Sequence, residues 1–155
     1  MIFISIQAVY AQTVKKDKDA AKEAEVKKMI DGKMYNFSVQ SAIPLRGGNI
    51  QLTYGYYLRV NKDTLIAYLP YYGRAYVAPM DPMDNGIDFT STKFTYKSAV
   101  KKNGYEISIL PADTKDVRQM FLDVSSSGYT SLRITNLNRD AITFDGYLEP
   151  LKKSK

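Results

Sequence analysis

The sequence predicts an all-β domain, an antiparallel meander of eight or nine strands that closes into a barrel, with one N-terminal helix. Two observations support this prediction. After Gly32, apolar and polar residues alternate with a period of two, as in half-buried strands. Short turn sequences separate these stretches, as in hairpins. A sheet this long protects its edges best by closing; a strongly curved open sheet with the helix across it is the alternative.

The chain has the size of one domain, because 155 residues can bury a core without further cross-links. We divide it into four parts. These are a signal-peptide remnant (1–11), a charged segment with a helix (12–33), one β domain (34–150) and a basic tail (151–155).

The first part resembles the end of a secretory signal peptide. Val9 and Ala11 occupy the small-residue positions before a cut between Ala11 and Gln12. The apolar run is far too short to span a membrane. We expect export to a periplasm or beyond, and a buried first strand is the alternative interpretation.

A helix is predicted from about Asp17 to Ile30, where alanines and a few larger apolar residues are mixed with lysine and glutamate. Gly32 stands where a C-terminal cap is expected. The apolar face is narrow and rich in alanine. We therefore expect this helix to lie on the surface or to plug one end of the sheet.

The clearest strand pattern runs from Ile50 to Val60, where every second residue is apolar or aromatic. Weaker copies of the pattern begin at Tyr35, Tyr105, Met120, Leu132 and Ile142. Turn-forming residues lie between the strands, at Gly47-Gly48-Asn49, Asn61-Lys62-Asp63, Asn103-Gly104, Ser127-Gly128 and Asn138-Arg139-Asp140.

Composition excludes several classes of enzyme. The chain has no cysteine, which removes disulfides, thiol catalysis and thiolate metal sites. It has no histidine, which removes the usual general base and the usual zinc ligand. No glycine-rich phosphate loop is present, and Ser125, Ser126 and Ser127 beside Gly128 are interpreted as a turn rather than as part of a Ser–Lys dyad. We predict neither catalysis nor a cofactor.

The net charge of +6 does not predict a nucleic-acid partner, because it is concentrated near the termini. Residues 12–33 contain seven lysines and five acidic residues, and the tail adds Lys152, Lys153 and Lys155. The body between them is nearly neutral and shows no basic face interleaved with aromatic residues.

Four residues between two strand patterns form the first candidate ligand site: Tyr71, Tyr72, Arg74 and Tyr76. At a barrel mouth the phenols would stack on a sugar or an aromatic group while Arg74 holds an anionic group. The structural interpretation is a bend shaped by Pro70 and Gly73, with Arg74 paired to Asp84 or Asp88.

Tyr54 and Tyr56 are further candidates, because they share a strand face with Leu52 and Leu58. If this face points into the barrel, it forms either a filled core or the wall of an apolar pocket.

Calcium has a weak candidate site at Asp81, Asp84 and Asp88, with Asn85-Gly86 between them. Met83 fills a ligand position of the calcium-loop pattern, and Thr92 stands where a bidentate glutamate belongs. Acidic residues beside proline and glycine are ordinary turn chemistry, and we predict no metal.

The run Leu69-Pro70-Tyr71-Tyr72-Gly73-Arg74-Ala75-Tyr76, the later Asp84-Asn85-Gly86-Ile87-Asp88-Phe89 and the upstream Tyr56, Leu58 and Val60 resemble domain-of-unknown-function family 4251. The resemblance covers roughly Met29 to Leu148. It implies an exported protein of Bacteroidetes bacteria, a compact fold similar to lipocalin-type barrels, and no assigned activity. Relatives often carry a lipobox cysteine. This chain lacks it, so we expect no lipoprotein.

Two functional hypotheses follow. The first is a non-enzymatic envelope module that binds a small apolar or aromatic ligand at the barrel mouth. The second is a structural or protein-interaction domain with a filled core, which contacts an envelope protein or polymer through its rim. A cavity of at least about 300 Å³ reached from the Tyr71–Tyr76 segment favours the first, and a solid core favours the second.

Overall fold

The computed structural model describes residues 5–53, 55–73 and 86–152. These residues form one helix, α1 (Ser5–Asp31), and ten strands. The strands are β1 (Met34–Pro44), β2 (Ile50–Gln51), β3 (Tyr57–Asn61), β4 (Thr64–Leu69), β5 (Ile87–Ser91), β6 (Phe94–Lys101), β7 (Gly104–Pro111), β8 (Val117–Ser125), β9 (Tyr129–Asn136) and β10 (Ile142–Glu149).

All ten strands belong to one antiparallel sheet with the order β5-β4-β3-β1-β10-β9-β8-β7-β6, and the short β2 pairs with β1. Strands β3 to β5 and strands β6 to β10 are neighbours in chain order, as in a meander, and the last strand returns to pair with the first. Among the described strands, the ladder is interrupted between β5 and β6. The predicted barrel-like all-β fold with one helix is confirmed, as a curled half-barrel.

The inner face of the sheet is packed with apolar side chains. Tyr35, Phe37 and Phe144 are among the largest fully buried ones. The predicted inward positions of the strands that begin at Met120, Leu132 and Ile142 are all buried, as the period-two pattern requires.

Among the helix side chains that the structure describes, Val26, Met29 and Ile30 in the C-terminal part reach this core. Its alanines Ala20 and Ala24 are exposed. Within the described residues, no helix combines the length and the apolar content that a bilayer crossing requires.

The helix differs from its prediction at both ends. It begins at Ser5 rather than near Asp17, so the alternative of a buried first strand is wrong for residues 5–11. At the other end the left-handed residue is Lys33, with φ 51°, rather than Gly32. The Gly32 amide still donates to the Lys28 carbonyl at 3.1 Å and so continues the helical pattern.

The long strand predicted from Ile50 to Val60 is interrupted. Both β2 and β3 pair with β1, but residues 52, 53, 55 and 56 between them lie outside any strand. The interruption lies beside a β-bulge, because the register of β1 against β10 shifts between Val39 and Ser41. The predicted alternation in burial nevertheless persists at the described residues of this stretch, because Leu52 and Tyr56 are half-buried whereas Thr53 and Gly55 are exposed.

Candidate functional site

The structure describes four of the residues singled out from the sequence: Tyr56, Tyr71, Tyr72 and Asp88. Five others lie outside the described residues: Tyr54, Arg74, Tyr76, Asp81 and Asp84. The ligand cluster at the barrel mouth and the pairing of Arg74 with an acidic residue therefore stay predictions.

Tyr71 follows β4 and is held by the loop between β9 and β10. Its hydroxyl donates to the Asp140 carbonyl at 3.0 Å, and the Arg139 guanidinium lies 4.5 Å from its ring centroid. Burial, followed by the nearby Asp140 carboxylate, raises the pKa of the Tyr71 phenol. These contacts fix the ring in a packed position. Tyr72, the next residue, is 37% exposed.

Arg139 connects three loops. Its Nε donates to Asp116 Oδ2 at 2.6 Å, and its Nη1 donates to the Gly86 carbonyl at 3.2 Å. The Arg139 and Asp116 side chains are only 15% and 20% exposed, which limits solvent screening of the pair. Arg139 therefore ties Tyr71 and Gly86, which flank residues 74–85, to the loop between β7 and β8.

Tyr56 lies just before β3, at the margin of the core. Its ring stacks on Tyr68 at a centroid distance of 5.5 Å, with an interplanar angle of 29°. Its carbonyl accepts a hydrogen bond from the Val39 amide, which fixes the backbone beside β1. Leu58, by contrast, is fully buried, so the two residues have different surroundings although they are two positions apart.

The outer face of the sheet contains a groove with a volume of about 440 Å³, which we call the outer groove. It is lined by Asn36, Ser38, Gly55, Tyr56, Tyr57, Arg59, Asn61, Glu149, Pro150, Leu151 and Lys152. Its floor consists of short side chains on β1, and longer side chains from the neighbouring strands flank them.

The strand register explains this shape. Asn36 lies opposite Arg59 of β3 on one side and opposite Glu149 of β10 on the other. Ser38 lies opposite Tyr57. A row of small residues between rows of large ones leaves a trough, and the chain after β10 borders it.

The outer groove contains both an aromatic surface and polar side chains. The Arg59 guanidinium lies 4.8 Å from the Tyr57 ring centroid. Asn36 Oδ1 is buried and has no hydrogen-bond partner in the described structure. Leaving such an acceptor unsatisfied costs about 1–3 kcal/mol. The groove can therefore stack a ring on its tyrosines and donate hydrogen bonds from Arg59 to whatever enters it.

No metal site is visible in the described part of the chain. Asp88 is exposed on the outer face of β5, opposite Tyr68 of β4. Within the described ranges, no group of three or more acidic side chains lies close enough together to hold an ion. The other two acids of the weak calcium candidate lie outside these ranges.

Sequence reasoning missed most residues of the outer groove. Tyr57 and Arg59 occupy the polar positions of the alternating pattern, which only predicts that they face outward. The signal that singles them out is their register with Asn36 and Ser38, and a pairing between strands that are distant in sequence is not encoded in local alternation.

The comparisons with known proteins identify a family and a fold. The model of the family described as "Domain of unknown function (DUF4251)" matches residues 17–148. A crystal structure of a DUF4251 family protein from Bacteroides eggerthii DSM 20697 is similar in fold, with a TM-score of 0.60 at 15% sequence identity. The alignment covers 86% of this chain and 91% of that chain. No curated protein matches the sequence.

Proposed function

The chain belongs to the DUF4251 family, and we propose that it is a non-enzymatic binding module of the cell envelope that holds a small ring-containing ligand in the outer groove. The ring would pack against Tyr56 and Tyr57, and polar substituents would bond to Asn36 and Arg59. This site shares Tyr56 with the ligand residues predicted from the sequence, and it lies on the outer face of the sheet rather than inside the barrel.

The observation that carries the proposal is a groove of about 440 Å³ that combines the Tyr56 and Tyr57 side chains with the polar side chains of Asn36 and Arg59. Small-molecule sites are typically 300–1,000 Å³ and combine apolar or aromatic walls with a few convergent polar groups.

Native mass spectrometry of the protein purified from its own host tests the proposal. We expect a co-purifying small molecule on the wild type and its loss from Asn36→Val. Ser131→Val is the matched control, because it places the same residue on the outer face of β9, away from the groove. Equal ligand occupancy in both variants, or no bound mass on the wild type, would contradict the proposal.

We propose export as the location of this activity. The support is the Val9-Tyr10-Ala11 tripeptide before a charged segment, together with the resemblance to exported proteins. N-terminal sequencing of the protein from an envelope fraction should begin at or near Gln12. A protein that retains Met1, or that is confined to the cytoplasm, would contradict export.

A second candidate is a structural or protein-interaction domain with a filled core. The packing of the inner face favours it, because Tyr35, Phe37 and Phe144 occupy the interior and are fully buried. This candidate predicts that cross-linking in intact cells captures one defined envelope protein at the outer face. The mass-spectrometric experiment separates the two, since only the first candidate requires a bound small molecule.

A further inference from the structure

Four tyrosines, three exposed and one half-buried, form a line across the outer face of the sheet, which we call the tyrosine row: Tyr68 on β4, Tyr57 on β3, Tyr147 on β10 and Tyr129 on β9. The strand register places them side by side. Tyr68 is opposite Tyr57, and Tyr147 is opposite Tyr129. Between these two pairs lies Ser38 of β1, opposite both Tyr57 and Tyr147. The row therefore crosses five neighbouring strands.

The rings within each pair are in contact, and three of them are well exposed. Centroid distances are 5.9 Å for Tyr57 and Tyr68, and 5.5 Å for Tyr129 and Tyr147. Tyr68, Tyr129 and Tyr147 are 46%, 42% and 40% exposed. Four strand spacings of about 4.8 Å give the row a length of about 19 Å. This is much longer than a single ring.

The gap at Ser38 joins the tyrosine row to the outer groove. Its short side chain leaves about 10 Å, two strand spacings, between the strands that carry Tyr57 and Tyr147. Ser38 and Tyr57 both line the outer groove, together with Asn36 and its unpartnered oxygen. A chain that lies along the row therefore passes over the groove at its middle.

Among the residues that the structure describes, the charges beside the row are balanced. Arg59 and Lys152 are basic, whereas Glu149, Asp88 and Asp145 are acidic. A polyanion would be attracted by a one-sided basic surface, and a lipid surface by an apolar or basic one; this face is neither. Tyrosine rings combined with hydrogen-bonding groups of both kinds suit a ligand that has flat faces and many hydroxyl groups.

We propose that the outer groove and the tyrosine row together bind a neutral oligosaccharide chain laid across the strands, with one sugar seated over Ser38. Sugar rings have a weakly polar C–H face that packs on phenol rings and a rim of hydroxyls that donate and accept hydrogen bonds. Ser38 would exchange hydrogen bonds with the hydroxyls of the sugar above it, and Arg59 would donate to sugar oxygens. This proposal deepens the proposed function and depends on it.

Titration calorimetry with neutral oligosaccharides of increasing length, from two to six sugar units, tests the ligand class. We expect affinity to rise with length and to change little with salt, because no ion pair is formed. An affinity independent of length, or binding confined to anionic sugars, would overturn the neutral-chain proposal.

Variants of the tyrosine row distinguish this proposal from the proposed function. The double variant Tyr129→Ala/Tyr147→Ala should weaken binding of the longest chains about tenfold and leave the shortest almost unaffected. Tyr57→Ala should weaken binding of all lengths. Phe121→Ala is the control, since Phe121 is 38% exposed on the outer face of β8 but outside the row.

The possible results of these experiments distinguish failure of the oligosaccharide proposal from failure of the proposed function. If a small ring compound binds in an Asn36-dependent way and the double variant has no effect, the oligosaccharide proposal fails and the proposed function stands. If no sugar and no small molecule binds, both fail. If cross-linking places an envelope protein on Tyr129 and Tyr147 instead, the row is a protein-docking surface and the oligosaccharide proposal is overturned.

Discussion

The inner face of the sheet packs the core, whereas the outer face contains the candidate site, and three consecutive residues of β1 show this difference. Phe37 points inward and is fully buried among apolar neighbours. Asn36 and Ser38, on either side of it, point outward into the outer groove. Successive residues of a strand face opposite sides, so stability and recognition can be built on the same backbone with little interference.

The inner face should carry most of the stability. We expect Phe37→Ala to lower the free energy of unfolding by about 3–5 kcal/mol, because it removes a large buried ring and leaves a cavity. Tyr147→Ala, on the outer face of β10, should cost less than about 1 kcal/mol. Urea unfolding of both variants measures the difference. Similar losses of unfolding free energy for the two variants would contradict the expectation that the inner face contributes most of the stability.

Arg139 should contribute to stability next after the core, although it lies at the edge of the sheet. We expect Arg139→Ala to cost about 1–3 kcal/mol, because it leaves Asp116 unpaired in a poorly exposed site and removes a cation from the Tyr71 ring. Lys101→Ala is the control, since its ion pair with Asp123 is exposed and should contribute nothing measurable. Equal effects of the two changes would mean that Arg139 is not structural.

The inner face also contains a polar contact that makes stability depend on pH. The hydroxyls of Tyr35 and Tyr96 lie 3.0 Å apart and link β1 to β6. Burial, opposed by the hydrogen bond with Tyr35 and assisted by the Asp31 carboxylate, raises the pKa of Tyr96 to about 12. Burial likewise raises the pKa of Tyr35 well above its usual value.

An unfolded tyrosine titrates near pH 10, so above that pH the unfolded chain binds fewer protons than the folded one. The stability contributed by the neutral phenols is therefore complete below about pH 10 and is lost as the pH rises through about 12, by up to about 1.4 kcal/mol per pH unit for Tyr96. Tyr96→Phe should reduce this slope in urea unfolding between these pH values. An unchanged slope would show that Tyr96 does not titrate as described.

Whether the sequence predicts a feature of this protein depends on how far apart in the chain the interacting residues lie. Alternation is local, and it correctly predicts the inward faces of β8, β9 and β10. The break in the strand from Ile50 to Val60 lies beside the bulge of β1, and local alternation does not encode this bulge. The role of Gly104 likewise depends on a neighbouring strand. The sequence predicts a turn residue, but Gly104 is the first residue of β7. A Cβ at this position would clash with the Val124 carbonyl of β8.

The candidate site was less predictable than the fold for the same reason. The aromatic segment around Tyr71 is conspicuous in sequence, and its described part packs against Arg139. The outer groove consists of ordinary residues such as Asn36, Ser38 and Glu149, which become a site only through the register of β1 with its two neighbours. Register depends on the whole sheet and on the bulge, which single-strand patterns do not determine.

The smallest expected effect has the opposite sign and tests the outer face most directly. We expect Asn36→Val to raise the free energy of unfolding by about 1 kcal/mol, because it removes a buried acceptor that has no partner and adds a β-branched residue to a strand. Ser131→Val, which makes the same addition outside the groove, separates strand propensity from the removal of the acceptor. Thermal or urea unfolding of the ligand-free proteins measures both. If Asn36→Val destabilises the protein relative to Ser131→Val, Asn36 is a structural residue. It is then not a polar group that the groove keeps at a cost in stability. A gain in stability combined with a loss of bound ligand would instead assign Asn36 to recognition.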